Sequence, residues 1–181
     1  MPDTLILAKP AAEHEAAVLD YIAEHKAAGE THLSGGLGDF EDFASWQTRC
    51  DREHAGLWQD PEWNVPSSIF LAIRERDQRL VGLVRLRLGD SPKVIDFDGH
   101  IGCGIRPSER RKGYALALLH MGVRACGRAG MARVLVTCDH DNAASEALLR
   151  GAGGAFEDSR YEPDGNLIHR FWFAAEAHQS Q

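Results

Sequence analysis

Arg110, Arg111 and Lys112 stand immediately before Gly113 in the stretch GHIGCGIRPSERRKGYALALLHMG, residues 99–122. Three cations in a row ahead of a glycine suit the binding of an anion. Hydrogen bonds from guanidinium and ammonium groups to an anion are about twice as strong as neutral ones. Glycine lets backbone approach a phosphate closely, and the small Ala115 keeps that approach open one residue further. A strand ending at Ile105-Arg106, a turn containing Pro107 and a helix starting near Gly113 also gather free backbone N–H groups and a positive dipole end at one point.

Rival chemistries lack their signatures. GxxxxGK[ST] does not occur, and Gly102-Cys103-Gly104 is a GxG without its third glycine, placed before the turn rather than opening the helix. HExxH and GxSxG do not occur either. Asp139, His140 and Asp141 read as polar loop residues ahead of a helix cap rather than as a metal or proton-relay set. The four cysteines, Cys50, Cys103, Cys126 and Cys138, form no CxxC pair, which fits reduced and mostly buried thiols of a cytoplasmic protein without a structural metal.

The elements that must position the loop follow from the patterning. Thr4 to Ala8 alternates like a short strand, and an alanine-rich helical stretch runs from Pro10 to about Ala28, ended by Gly29. A turn-rich segment beginning at Thr31 leads to a second helix, capped by Asp39 or Asp42 and reaching about Leu57. WQDPEWNVP reads as loop. Trp46, Trp58 and Trp63 either line a substrate lid or pack a helical cover onto the sheet. SSIFLAIRER and RLVGLVRLRLG form a β-hairpin turning at Asp77-Gln78, with Ile69, Leu71 and Ile73 on one face. A strand from about Gly99 to Arg106 precedes the cationic loop. The helix after it carries a stripe of Leu116, Leu119, Val123 and Cys126. The strand VLVTCD, a helix over about Asn142 to Arg150, and strands near Ala155–Tyr161 and Ile168–Ala174 complete a mixed α/β order.

Length and composition set the frame. The 181 residues suffice for one substantial core, so residues 1–181 are expected to form a single domain. Apolar residues make up 44% and charged residues 26%, as in soluble globular chains. No apolar run is long enough for a bilayer, and MPDTLILAKP lacks the basic start of a signal peptide, which points to the cytoplasm. The net charge of −7 is uneven: residues 1–64 hold 4 Lys/Arg against 13 Asp/Glu, and the remainder 16 against 14. The split suggests an anion handled by the second half and a cation drawn to the first. An acidic chain without a basic, aromatic-interleaved stripe is not expected to bind nucleic acid.

Arg110-x-x-Gly113-x-Ala115, set between strand and helix, resembles the (Arg/Gln)-x-x-Gly-x-(Gly/Ala) loop with which the GNAT superfamily of N-acetyltransferases holds the pyrophosphate of acyl-CoA. Asn142, opening NAASEALLRGAGG after VLVTCD, is similar to that family's cofactor-contacting asparagine, and Gly151 to Phe156 to its glycine turn. VPSSIFLAI, GHIGCGIRPSERRKGYA and LVTCDHDNAAS together resemble a bacterial subgroup of predicted acetyltransferases. The resemblance covers roughly Ser67 to Ala174. It implies a mixed, mainly antiparallel twisted sheet with helices on both faces, acetyl-CoA as co-substrate without a metal, and a family in which homodimers are frequent; the lack of an apolar run already argues against a membrane partner.

The cofactor set implied by the resemblance is Ile105 and Arg106 at the strand end, Arg110, Arg111, Lys112, Gly113, Tyr114 and Ala115 in the loop, and Asn142 with Ser145 at the next helix. The strand before the loop is expected to carry the pantetheine arm on its backbone. Acetyl transfer to a primary, cationic amine needs a base for the ammonium proton. His100 is the leading candidate, because its ordinary pKa lies near neutrality, and Asp98 is the alternative. The competing reading of His100 is a strand-end histidine satisfied by a backbone carbonyl. Where many members carry a tyrosine as general acid, this chain has Leu148-Leu149. The family transfers the acyl group directly, so Cys103, where the subgroup usually has an aromatic, is no nucleophile. The missing tyrosine motivates the alternative of a non-catalytic acyl-CoA-binding sensor or interaction module.

Overall fold

A computed structural model of the chain describes residues 3–30 and 33–175; Met1, Pro2, Thr31, His32 and residues 176–181 lie outside the described residues. Strand β1 (Leu5–Ala8) is followed by a short 3-10 turn at Ala12–His14 and helix α1 (Glu15–Ala27). Gly29, at φ +79°, ends that helix as the sequence implies. Helix α2 (Phe43–His54) starts at Asp42, whose carboxylate accepts the Ser45 N–H at 2.7 Å. Of the two candidate caps, Asp42 is the one used.

The hairpin β2 (Ser67–Arg74) and β3 (Arg79–Arg87) forms the centre of a four-stranded antiparallel sheet in the order β1-β2-β3-β4, with β4 covering Ile101–Ile105. Helix α3 (Tyr114–Arg128) leads to β5 (Arg133–Asp139), then α4 (Ala143–Gly151), β6 (Ala155–Tyr161) and β7 (Leu167–Ala174). The last three strands make a second antiparallel sheet, β5-β7-β6.

Helices cover both faces of the first sheet, as strand alternation dictates. Ile69, Leu71, Ile73 and Leu83 pack with Val18, Tyr21, Phe43, Trp46 and Cys50 of α1 and α2. Ala72, Val84, Leu86 and Ile101 point the other way, toward Leu118, Leu119 and Cys126 of α3 and toward Phe171 and Phe173. Burying each large apolar side chain contributes about 1.5–3 kcal/mol. On α3 the buried stripe is Leu118, Leu119, Gly122 and Cys126, whereas Leu116 is 39% exposed. The expected stripe mixed two faces: Leu116 lies about 100° of helical rotation from the core-facing line, on the side open to the cleft described below.

Candidate active site

Among the described residues the two sheets are joined by hydrogen bonds at one place and then part. The His100 N–H donates to the Leu135 carbonyl at 2.7 Å, and the Leu135 N–H donates to His100 Nδ1 at 2.8 Å. Beyond this point β4 pairs only with β3, and β5 only with β7. The Arg87 main-chain N–H donates to the His100 carbonyl and the Arg106 main-chain N–H to the Val81 carbonyl, which fixes the bonded rungs of β3 and β4. By antiparallel alternation the main-chain groups of Ile101, Cys103 and Ile105 turn the other way, to the edge facing β5. A cleft of about 1280 Å³ fills this gap, bounded by Ile101–Ile105 on one side and Val136–Asp139 on the other.

The cleft runs onto the amino end of α3. Gly113 sits at φ +87°, a left-handed conformation that disfavours other residues, and a Cβ added there would meet nothing within 4 Å. Ala117 is the first amide to bond back, to the Gly113 carbonyl at 3.1 Å, so the amides before it lack intrahelical partners. Arg111 is also left-handed, at φ 61°. The turn is anchored from below. Arg74 reaches Glu109 at 2.8 Å and the Tyr114 hydroxyl at 2.8 Å, and that hydroxyl also meets Asp3.

The loop cations have different surroundings. Arg110 makes a bidentate pair with Glu30, at 2.7 and 2.9 Å, and its Nε donates to the Ile105 carbonyl at 3.1 Å. The Arg110 hydrogen bonds hold the Glu30 carboxyl down to about 2. Lys112 pairs with Glu109 at 2.9 Å and does not border the cleft. Arg111 and Ala115 border it, as does Tyr114, although its hydroxyl is committed to the Arg74 cluster. Across the gap, Asn142 caps α4: its Oδ1 accepts the Ser145 N–H at 3.1 Å. Both residues line the cleft.

Besides Lys112, two expected residues do not belong to the cleft. Arg106 is 1% exposed, and its guanidinium binds the Leu80 carbonyl at 2.8 Å, Asp20 at 2.6 Å and Glu24 at 2.9 Å. It ties the end of β4 to α1, because alternation sends its side chain to the α1 face. His100 is fully buried, with both nitrogens occupied. Nδ1 takes an amide hydrogen, so the proton sits on Nε2, which donates to Asp90 at 3.0 Å. Burial lowers its pKa against the opposing pull of Asp90. A neutral imidazole locked between two strands presents no free base to a substrate.

Asp98, the alternative, does border the cleft, from a single π-helical turn over Val94–Asp98. Its carboxylate accepts the Trp63 indole N–H. Trp63 therefore sits at the site, whereas Trp46 is core, donating to the Gly35 carbonyl at 2.9 Å. Cys103 is exposed on the cleft wall. Sequence reasoning passed over Glu30 and the pair Arg85 and Arg87. The arginines did carry a signal: they alternate with apolar residues on the same face of β3 as Leu83, where a core residue belongs. Among the described residues no group of three or more metal-ligating side chains assembles, and no helix is long and apolar enough to cross a membrane.

A split sheet whose gap leads onto a helix amino terminus defines an elongated cleft for a long ligand with an anionic end, the layout of an acyl-CoA-dependent acetyltransferase. The chain belongs to the acetyltransferase (GNAT) family, whose model matches residues 38–153. Solved structures agree on the fold. The ribosomal alpha-N-protein acetyltransferase RimL in complex with coenzyme A is similar at TM-score 0.66 and 16% identity, over 96% of each chain. The microcin self-immunity acetyltransferase MccE in complex with acetyl-CoA and AMP is similar at TM-score 0.71 and 15% identity, over 95% of this chain and 93% of the other. A spermidine N-acetyltransferase from Vibrio cholerae is similar at TM-score 0.65 and 14% identity, over 94% of each. No curated protein matches the chain significantly.

Proposed function

We propose that residues 1–181 act as one cytoplasmic N-acetyltransferase domain, moving the acetyl group of acetyl-CoA directly to a primary amine. The observation that carries this reading is the main-chain edge of β4 that pairs with no strand, leading to the unpaired amides at Gly113. The pantetheine amides would bond to Cys103 and Ile105 as an added strand does. The pyrophosphate would rest on the α3 amides, with Gly113 allowing close approach and Arg110 and Arg111 nearby. Asn142, held by its cap, keeps its amide nitrogen free for the cofactor from the opposite wall.

The acceptor arrives as an ammonium, loses a proton, and its nitrogen attacks the thioester carbonyl carbon. The C–S bond of the adduct then breaks, the attacking nitrogen gives up its second proton to solvent to become the amide, and CoA departs as thiolate, to be protonated from solvent. Asp98, or a water it holds, takes the ammonium proton. Leu148 borders the cleft where a tyrosine acid would stand, so the thiolate is protonated without a side chain from α4.

That same leucine favours a second reading, an acyl-CoA-binding module without turnover. Release of free thiol from acetyl-CoA across an amine panel decides between them. Amine-dependent release supports transfer. Tight acetyl-CoA binding with no release on any amine supports the module, and no acetyl-CoA binding overturns both.

A further inference from the structure

A second cavity, of about 430 Å³, opens beside the cleft and shares Ser34, Trp63, Arg87 and Gly102 with it. Its floor is cationic. Arg85 and Arg87, two residues apart on β3, are 4% and 9% exposed, and Arg49 joins them. Arg85 and Arg87 both stack on the Trp63 ring, at 4.7 and 4.0 Å from its centroid. Burying a charge without a partner is costly, so natural proteins pair such groups.

Here the pairing is incomplete. Glu53 is the buried counter-charge, at 3.1 Å from Arg49 and 3.6 Å from Arg85, and it also accepts from Ser67 at 3.0 Å. Among the described residues, no carboxylate lies within ion-pair distance of Arg87. Arg87 Nη1 donates only to the Asp98 and Gly99 carbonyls, at 3.2 and 3.0 Å. Its Nε, like Arg85 Nη1, is buried without a hydrogen bond. Burial draws the Arg87 guanidinium down to about 10, with Arg85 adding repulsion and Asp98 opposing.

The acids at this cavity do not supply the missing charge. Glu62 is held by Lys93 at 2.6 Å, and Asp60 accepts the Glu62 N–H at 2.9 Å. Asp39, the remaining acid of the lining, belongs with the Arg49 side, where both flank Gly36. The space above Arg87 is kept open by Gly102: a Cβ there would stand 3.8 Å from Nη1 and 4.0 Å from Nη2. Part of the acidic excess of the first 64 residues is likewise taken up, with Asp20 and Glu24 on Arg106 and Glu30 on Arg110.

From the unpaired, buried guanidinium at the junction of the two cavities we infer that the acceptor is an amine bearing a carboxylate, an α-amino acid, whose carboxylate docks on Arg87 and Arg85. The inference rests on the acetyltransferase reading. A guanidinium and a carboxylate match in planar, bidentate geometry. Arg87 lines both cavities and bonds to the Asp98 carbonyl at 3.2 Å, so an anion held on it lies beside the part of the cleft that Asp98 borders, which favours a compact acceptor whose amine and carboxylate are close together, as in an α-amino acid. Such an acceptor still carries the ammonium that the transfer must deprotonate.

The test uses the full chain with acetyl-CoA and the common α-amino acids, each against its α-carboxamide, with phosphoethanolamine and spermidine as further acceptors. The expected result is kcat/KM at least 100-fold higher for the best amino acid than for its amide. Titration calorimetry of the CoA-bound protein with the N-acetyl amino acid and its amide should show the same preference without turnover. Arg87→Met should collapse both ratios to within about threefold, Arg87→Lys should restore part of them, and acetyl-CoA affinity should hold. Amides or spermidine serving as well as amino acids, a better phosphate than carboxylate, or an unchanged ratio in a folded Arg87→Met would each overturn the inference. Should Arg87→Met fail to fold, the wild-type ratios decide alone. If the N-acetyl amino acid binds by its carboxylate but no amine is acetylated, the anion site stands and the transfer reading fails.

Discussion

His100 and Leu135 exchange two hydrogen bonds, main chain to main chain at 2.7 Å and main chain to imidazole at 2.8 Å, and they are the last rung before the two sheets separate. The pair fixes the apex of the cleft. Gly99 makes the contact feasible: at φ +66°, a Cβ there would lie 2.9 Å from the Leu135 carbonyl oxygen. The histidine that looked catalytic by type is thus a splint.

His100→Ala is expected to destabilise the fold by about 2–4 kcal/mol, through an orphaned buried amide and a cavity. The same residue should shape the acid side of the stability curve. Its pKa is lower when folded than its ordinary 6.5, so protonation favours the unfolded chain. Its contribution is therefore full above about pH 6.5 and declines as pH falls toward the folded value. Melting temperatures between pH 7.5 and 5 should drop more steeply for the wild type than for His100→Ala. Equal slopes would show that the buried imidazole does not govern this limb.

Gly113→Val tests the anion end of the cleft. The apo chain has room for the side chain, but a β-branched residue at φ +87° is strained by about 1–2 kcal/mol. The added carbons occupy the space into which the α3 amides point. Acetyl-CoA affinity, measured by calorimetry, should fall tenfold or more, a loss of about 1.4 kcal/mol or above. A folded variant with unchanged affinity would remove the loop from the cofactor site.

How far the sequence foretold this site depends on whether a residue's role is local. Gly113, Asn142, Asp42 and the strand alternation of Ile69, Leu71 and Ile73 act through neighbours a few residues away, and spacing exposes them. Arg106 and His100 were misplaced because their roles depend on partners 26 to 86 positions distant, the Leu80 carbonyl, Asp20 and Leu135. Charge type alone cannot say whether a guanidinium faces a ligand or a helix. Arg110 shows the same limit: its pairing with Glu30, 80 residues earlier, appears only in three dimensions. The count of acids in residues 1–64 likewise measured charge without its pairing.

Asn142→Ala separates a cap from a contact. Loss of the bond to the Ser145 amide should cost about 1 kcal/mol, seen in denaturant unfolding. If the amide nitrogen also meets the cofactor, acetyl-CoA affinity should weaken by roughly three- to tenfold, the scale of one hydrogen bond. Asn142→Asp keeps the cap and removes the donor, so it should retain stability and still lose affinity. Full affinity in Asn142→Asp would leave the cap as the residue's whole role.

Asp98→Asn addresses the proton. The amide oxygen can still accept the Trp63 indole N–H, so the half-buried turn over Val94–Asp98 should keep its shape and acetyl-CoA affinity should hold. What the substitution removes is a group able to take a proton from the bound ammonium. General-base catalysis contributes about 10²–10⁴-fold, so turnover at pH 7 should fall by about a hundredfold or more. Raising the pH increases the fraction of acceptor that is already the free amine, and the variant should recover relative to the wild type as it does. A variant that keeps full turnover with the wild-type pH profile would exclude Asp98 as the base and leave deprotonation to solvent.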